Sequence, residues 1–193
     1  MALCFTHTAA GYLAYEAIRP PGSHRPGWLA AAVLLANAPD LDFVPGWLLG
    51  HPGMYHRGIT HTIAAVAAIT AFVWWWRRRL ARAPLAVAAW AGATYASHLV
   101  LDFLTPDARP PHGGQFLWPL SDAYWIAPVT PLHEIVIDGS NRMAFLRSVL
   151  GHETHLVWLT EVAGLLVVIA VVQLLRTRAT PAAVAVREAI EEP

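Results

Sequence analysis

Apolar residues run along this chain in blocks, and the polar residues inside those blocks are few and unevenly placed. The first block, Leu3 to Ile18, holds Thr6, His7, Thr8 and Glu16 and ends at the breaker Arg19-Pro20-Pro21-Gly22, which predicts a short first helix. The second runs from Trp28 to Leu49, long enough to cross a hydrocarbon core that takes about 20 helical residues. Asn37-Ala38-Pro39-Asp40-Leu41-Asp42 interrupts it. A proline and two carboxylates there predict a broken helix whose acids face a protein interior or a water-filled cavity rather than lipid. Ile63 to Trp76 is the third block, with Thr60 as expected N-cap, and Arg77-Arg78-Arg79 and Arg82 stop it. Pro84 to Leu104 is the fourth, clean except for Thr94, Ser97, His98 and Asp102. Residues 105–155 turn Pro-, Gly- and aromatic-rich, and Leu156 to Leu175 forms a last apolar span before Arg176, Arg178 and an Ala-rich tail.

The pattern predicts an all-α, polytopic membrane helical bundle of four to five hydrophobic helices. Residues 1–176 form one membrane-embedded domain with an outer loop at 105–155, and 177–193 form a short, solvent-exposed cytoplasmic tail. Composition agrees: 56% of residues are hydrophobic, 13% are charged and the mean hydropathy is +0.43. Net charge is zero, so no global field argues for nucleic acid. The start of the chain lacks a cleavable signal pattern and is expected to be retained. All thirteen basic residues are arginine. Placing Arg77, Arg78, Arg79 and Arg82 in the cytoplasm puts Arg19, Arg25, Arg176 and Arg178 there too, leaving Arg57, Arg109, Arg142 and Arg147 outside. The expected topology is therefore N-out and C-in, in the inner membrane.

That topology gathers the misplaced polar residues. His7, Asp40, Asp42, His56, His61, His98 and Asp102 all fall in the outer layer, as a metal site built between helices requires. His98 and Asp102 are i,i+4 and share a helical face. His56 and His61 are i,i+5, so His56 is expected on a loop and His61 in the first helical turn, with Gly58 allowing the bend. The single Cys4 excludes an internal disulfide and a dithiol, so imidazole and carboxylate are the available donors. They suit a divalent ion, Zn before Mn or Fe, as one ion or as two sharing a carboxylate. Each residue has a plainer role open to it: His7 as an interior hydrogen-bonding residue, Asp40 and Asp42 as turn residues, Arg57 as a side chain reaching the headgroups. His112, His133, Glu134, His152 and His155 are expected to be solvated.

At these residues the sequence resembles the YdjM-like family of membrane-bound metal-dependent hydrolases, also described as LexA-binding and inner-membrane-associated. The resemblance runs through Thr6-His7, P-D-L-D at 39–42, H-R-G-I-T-H-T at 56–62, S-H-L-V-L-D-F-L-T at 97–105 and W-P-L-S-D at 118–122. Residues 106–111 intervene before Gly113-Gly114, where the family places a glycine sooner, so the substrate side is expected to differ. A more distant similarity to zinc-dependent phospholipase C enzymes implies phosphoester chemistry by analogy. The resulting expectation is hydrolysis of an ester or phosphoester in a lipid or membrane-proximal substrate through a metal-activated water. Asp42 is the first and Asp122 the second choice of general base, and Arg57 is expected to bind substrate. The alternative is a non-catalytic metal-binding or structural membrane protein.

Overall fold

The computed structural model describes residues 4–18, 26–79, 84–108 and 110–191, with side chains described throughout except at 153 and 178–191. The apolar blocks are helical: α1 (Cys4–Ala17), α2 (Pro26–Asn37), α3 (Phe43–Leu49), α4 (Ile63–Arg77), α5 (Pro84–Phe103) and α7 (His155–Glu191), with α6 (Arg142–Leu150) in the outer segment. Among the described residues no strand forms; one isolated bridge joins Gly114 and Trp125. The chain is thus an all-α membrane bundle.

Among the described residues, three helical stretches are long and apolar enough to cross a membrane: Pro26–Leu49, Pro84–Phe103 and His155–Thr177. This is slightly fewer than the expected four to five. The shortfall has a local cause, because α1 ends at Ala17 and α4 starts only at Ile63. At 1.5 Å per residue, the 15 residues of α4 span about 22 Å, short of a ~30 Å hydrocarbon core. Leu159, Leu166, Val167 and Leu174 of α7 are exposed, as side chains facing lipid would be. The helix α7 continues to Glu191, past the expected domain end at 176, while the expected solvent exposure of the tail concerns side chains beyond those described.

The second block is broken as its proline predicts. Ala38–Asp42 is a 3-10 turn between α2 and α3, with Pro39 in its first positions. The break turns Asp40 and Asp42 inward and leaves carbonyls of the preceding turn to other donors. Before α4 the chain makes two further 3-10 turns, Pro52–Tyr55 and Ile59–His61. The cap of α4 is Thr62, whose hydroxyl accepts from Ala65 N at 3.1 Å, and not Thr60. Thr60 instead donates to Asp42. The left-handed residue between the two histidines is Arg57, with φ +60°, whereas Gly58 has φ −79°.

Packing sets the position of α1. A Cβ at Gly11 would lie 2.8 Å from Ala32 O, so only glycine allows α1 to approach α2 this closely. Trp90 Nε1 donates to Ala14 O, and Gln173 Nε2 donates to the Tyr12 hydroxyl, fixing α1 between α5 and α7. The buried Glu161, absent from the expected polar set, accepts from Thr6 N at the start of α1. The outer segment folds back on the bundle: Arg142 donates to the Trp47 and Leu48 carbonyls at the end of α3, and Gly53 N donates to Gly139 O.

Candidate metal centre

Four parts of the chain meet at one end of the bundle. α1 supplies His7, the 3-10 break after α2 supplies Asp40 and Asp42, the loop before α4 supplies His56 and His61, and the last turns of α5 supply His98 and Asp102. His7, His61 and His98 are fully buried, and Asp42 and Asp102 nearly so. Charged or polar groups at that depth need partners, and a buried group left alone costs several kcal/mol at the level of about 1–3 per unpaired polar atom.

Their partners divide the residues into two layers. His98 Nδ1 donates to Ala36 O at 2.8 Å, a carbonyl next to the helix break. His61 Nδ1 lies 3.1 Å from Asp42 Oδ2, and His56 Nδ1 lies 3.2 Å from Asp42 Oδ1. Because the carbonyl and the carboxylate only accept, Nδ1 carries the proton in each neutral ring and Nε2 keeps its lone pair. Asp42 also accepts from Arg57 N at 3.1 Å and Thr60 Oγ1 at 3.1 Å. Tyr95 of α5 donates to Thr60 O at 2.7 Å and holds this loop against the helix. Asp42 is therefore a hub behind the histidines.

The front layer is a set of atoms without hydrogen-bond partners: Nε2 of His7, His56, His61 and His98, Asp40 Oδ1, and both carboxylate oxygens of Asp102. They point at one another. Asp40 Oδ1 is 3.5 Å from His61 Nε2 and 3.5 Å from His98 Nε2; Asp102 Oδ2 is 3.5 Å and 3.6 Å from the same two nitrogens. Donors around a tetrahedral zinc at ~2.0–2.2 Å stand about 3.3–3.6 Å apart. The spacing fits an ion, and two imidazoles with two carboxylates also neutralise a divalent charge. His7 stacks on His98 at 3.7 Å between ring centroids and its Nε2 lies 3.8 Å from the other Asp102 oxygen. His56 is set apart, 4.0 Å from Asp40 Oδ1. The His/Asp groupings that can hold an ion are His7 with Asp40 and His98, Asp40 with His56 and His61, and His61 with His98 and Asp102. Burial lowers the proton affinity of His61, but Asp40, Asp42 and Asp102 around it outweigh burial and push its pKa up to about 9.

A cavity of about 650 Å³ lies under the outer segment, bordered by Arg57, Phe43, Tyr124, Glu134 and, from the cluster, His56. Arg57 is partly buried and turned towards the outer segment. Its Nη1 donates to the Asp107 carboxylate and to Gly113 O, while its Nη2 is buried without a hydrogen-bond partner. Asp107 lies outside the residues that the sequence pattern singles out; its one signal is an acid in the segment that lengthens the loop. Asp122 stands elsewhere: it is exposed, its carbonyl accepts from Gln115, and none of the contacts described for it reaches the cluster. His112, His133, His152 and His155 are exposed, whereas Glu134 is half-buried and accepts from Ala108 N.

Residues 1–179 match the family described as YdjM inner membrane protein, and the chain belongs to that family. No curated protein and no solved structure matches the chain.

Proposed function

Starting from membership in that inner-membrane family, we propose that the chain is a metal-dependent hydrolase acting on an ester or phosphoester of a lipid or membrane-proximal substrate. The observation that carries this reading is the convergence of unpartnered buried donors beside a cavity large enough for a substrate. His61, His98, Asp40 and Asp102 would hold the ion, with His7 on the second oxygen of Asp102. A divalent ion there would supply Lewis-acid polarisation of a carbonyl or phosphoryl oxygen and lower the pKa of water towards neutrality.

The rest is the work of the chain. Asp42 orients His61 and His56 and has its oxygens occupied, which suits a positioning residue better than the base. His56 borders the cavity with Nε2 unpartnered and Asp42 behind Nδ1, the arrangement of an oriented general base. Arg57, clamped by Asp107 and bordering the cavity, is the cation available to a substrate oxygen. The extracytoplasmic orientation remains part of the proposal and rests on the arginine asymmetry; of those arginines, Arg19, Arg25, Arg82 and Arg109 lie outside the described residues, as does the side chain of Arg178.

A test is turnover of chromogenic phosphodiesters and short-chain esters by detergent-purified protein with zinc, manganese or iron(II). Activity that disappears in Asp102→Asn with the fold intact supports hydrolysis. If no substrate of either class turns over in a metal-loaded protein, the non-catalytic alternative takes its place.

A further inference from the structure

The opposite end of the bundle carries a second unusual arrangement. α4 ends in Trp74-Trp75-Trp76 followed by Arg77-Arg78-Arg79. The i,i+4 spacing stacks Arg78 over Trp74 at 5.1 Å and Arg79 over Trp75 at 5.2 Å. Arg77 has Val73 at its i−4 position and so finds no ring on its own helix. It turns across to α2 and lies 5.8 Å from the Trp28 ring.

Arg77 thereby closes the end of a groove of about 500 Å³ between α2, α4 and α5. The walls are the rings of Trp28, Trp76 and Trp90, and the floor is formed by small or aliphatic side chains such as Ala31, Leu35 and Val73. Among the described residues lining it, Arg77 is the one ionised group and no carboxylate is present. Arg77 Nε is buried without a hydrogen-bond partner. An apolar slot between helices of this bundle, headed by a guanidinium and edged by tryptophans, has the chemistry of a lipid site.

We infer that this groove binds an anionic phospholipid, one acyl chain lying between α2, α4 and α5 and the phosphate accepting from Arg77. A neutral lipid would fill the slot but leave the guanidinium unsatisfied. A choline headgroup would bring a cation beside Arg78 and Arg79. This site lies away from the His/Asp cluster and does not depend on its chemistry.

The test is native mass spectrometry of the delipidated full chain titrated with phosphatidylglycerol or phosphatidylcholine of identical acyl chains. Wild type is expected to retain phosphatidylglycerol at least about tenfold more than phosphatidylcholine. Arg77→Gln is expected to abolish that preference and Val73→Trp, which fills the slot, to abolish retention of both. Equal retention of the two lipids by wild type overturns the inference. So does a preference that survives Arg77→Gln but is lost in Arg78→Gln/Arg79→Gln, which assigns binding to the surface arginines. If Val73→Trp does not insert, the Arg77→Gln result decides alone.

Discussion

His61 Nδ1 sits 3.1 Å from Asp42 Oδ2 while its Nε2 points away, 3.5 Å from both Asp40 Oδ1 and Asp102 Oδ2. One face of the ring is held by a carboxylate that is already fully engaged, and the other is offered to the cluster. Asp42 would thus act on a bound ion through the histidine. Asp42→Asn should keep the donor set but lower zinc affinity by roughly 10–100-fold, the usual effect of removing an orienting carboxylate. Competition against a chromogenic chelator measures this, and an unchanged affinity would remove Asp42 from the orienting role.

His56 should separate chemistry from metal binding. His56→Gln is expected to lower kcat by about 10²–10⁴-fold, the contribution of a positioned base, with the metal content of the wild type retained. Loss of metal in step with activity would instead make His56 a ligand, as its grouping with Asp40 and His61 allows.

Much of this site was legible in the sequence, for a physical reason. Ionisable residues inside apolar helices are costly, so His7, Asp40, Asp42, His98 and Asp102 stood out individually, and the alternation of helices put them in one layer. Their division into donors and supports was not legible. It depends on which oxygen of Asp42 meets which ring, and on His98 Nδ1 meeting Ala36 O beside the break at Pro39, neither of which has a spacing signature. The helix α6 and the Arg57–Asp107 pair were also hidden, because a Pro- and Gly-rich segment shows no periodicity to read. At the start of α4 both threonines are plausible caps, and the choice fell to Thr62 because Thr60 is used by Asp42.

Arg57→Gln should reduce kcat/KM by roughly one to two decades, the equivalent of about 1.5–3 kcal/mol for a lost hydrogen bond to a charged group. The loss should fall mainly on KM for an anionic substrate. Steady-state kinetics on a phosphodiester and a neutral ester distinguish this from a general loss of stability, which would lower both equally.

Proton and ion compete for His61. Its pKa of about 9 lies above the ordinary 6.5, so in metal-stripped protein the protonated ring contributes stability fully below 6.5, and that contribution is lost as pH rises through about 9. Metal binding must displace the same proton and is favoured in the opposite direction. The rise in melting temperature on adding zinc to stripped protein should therefore be larger at pH 8.5 than at pH 6.5. A shift that is flat or falls over this range contradicts His61 as a ligand.

We propose that the buried donors of α1, the 3-10 break, the loop before α4 and α5 hold a divalent ion. Elemental analysis of detergent-purified wild type against His61→Ala/His98→Ala, with helicity measured on both, tests it most directly. At least one transition-metal ion per wild-type chain and background levels in the folded variant are expected. Equal, substoichiometric metal in both would contradict it.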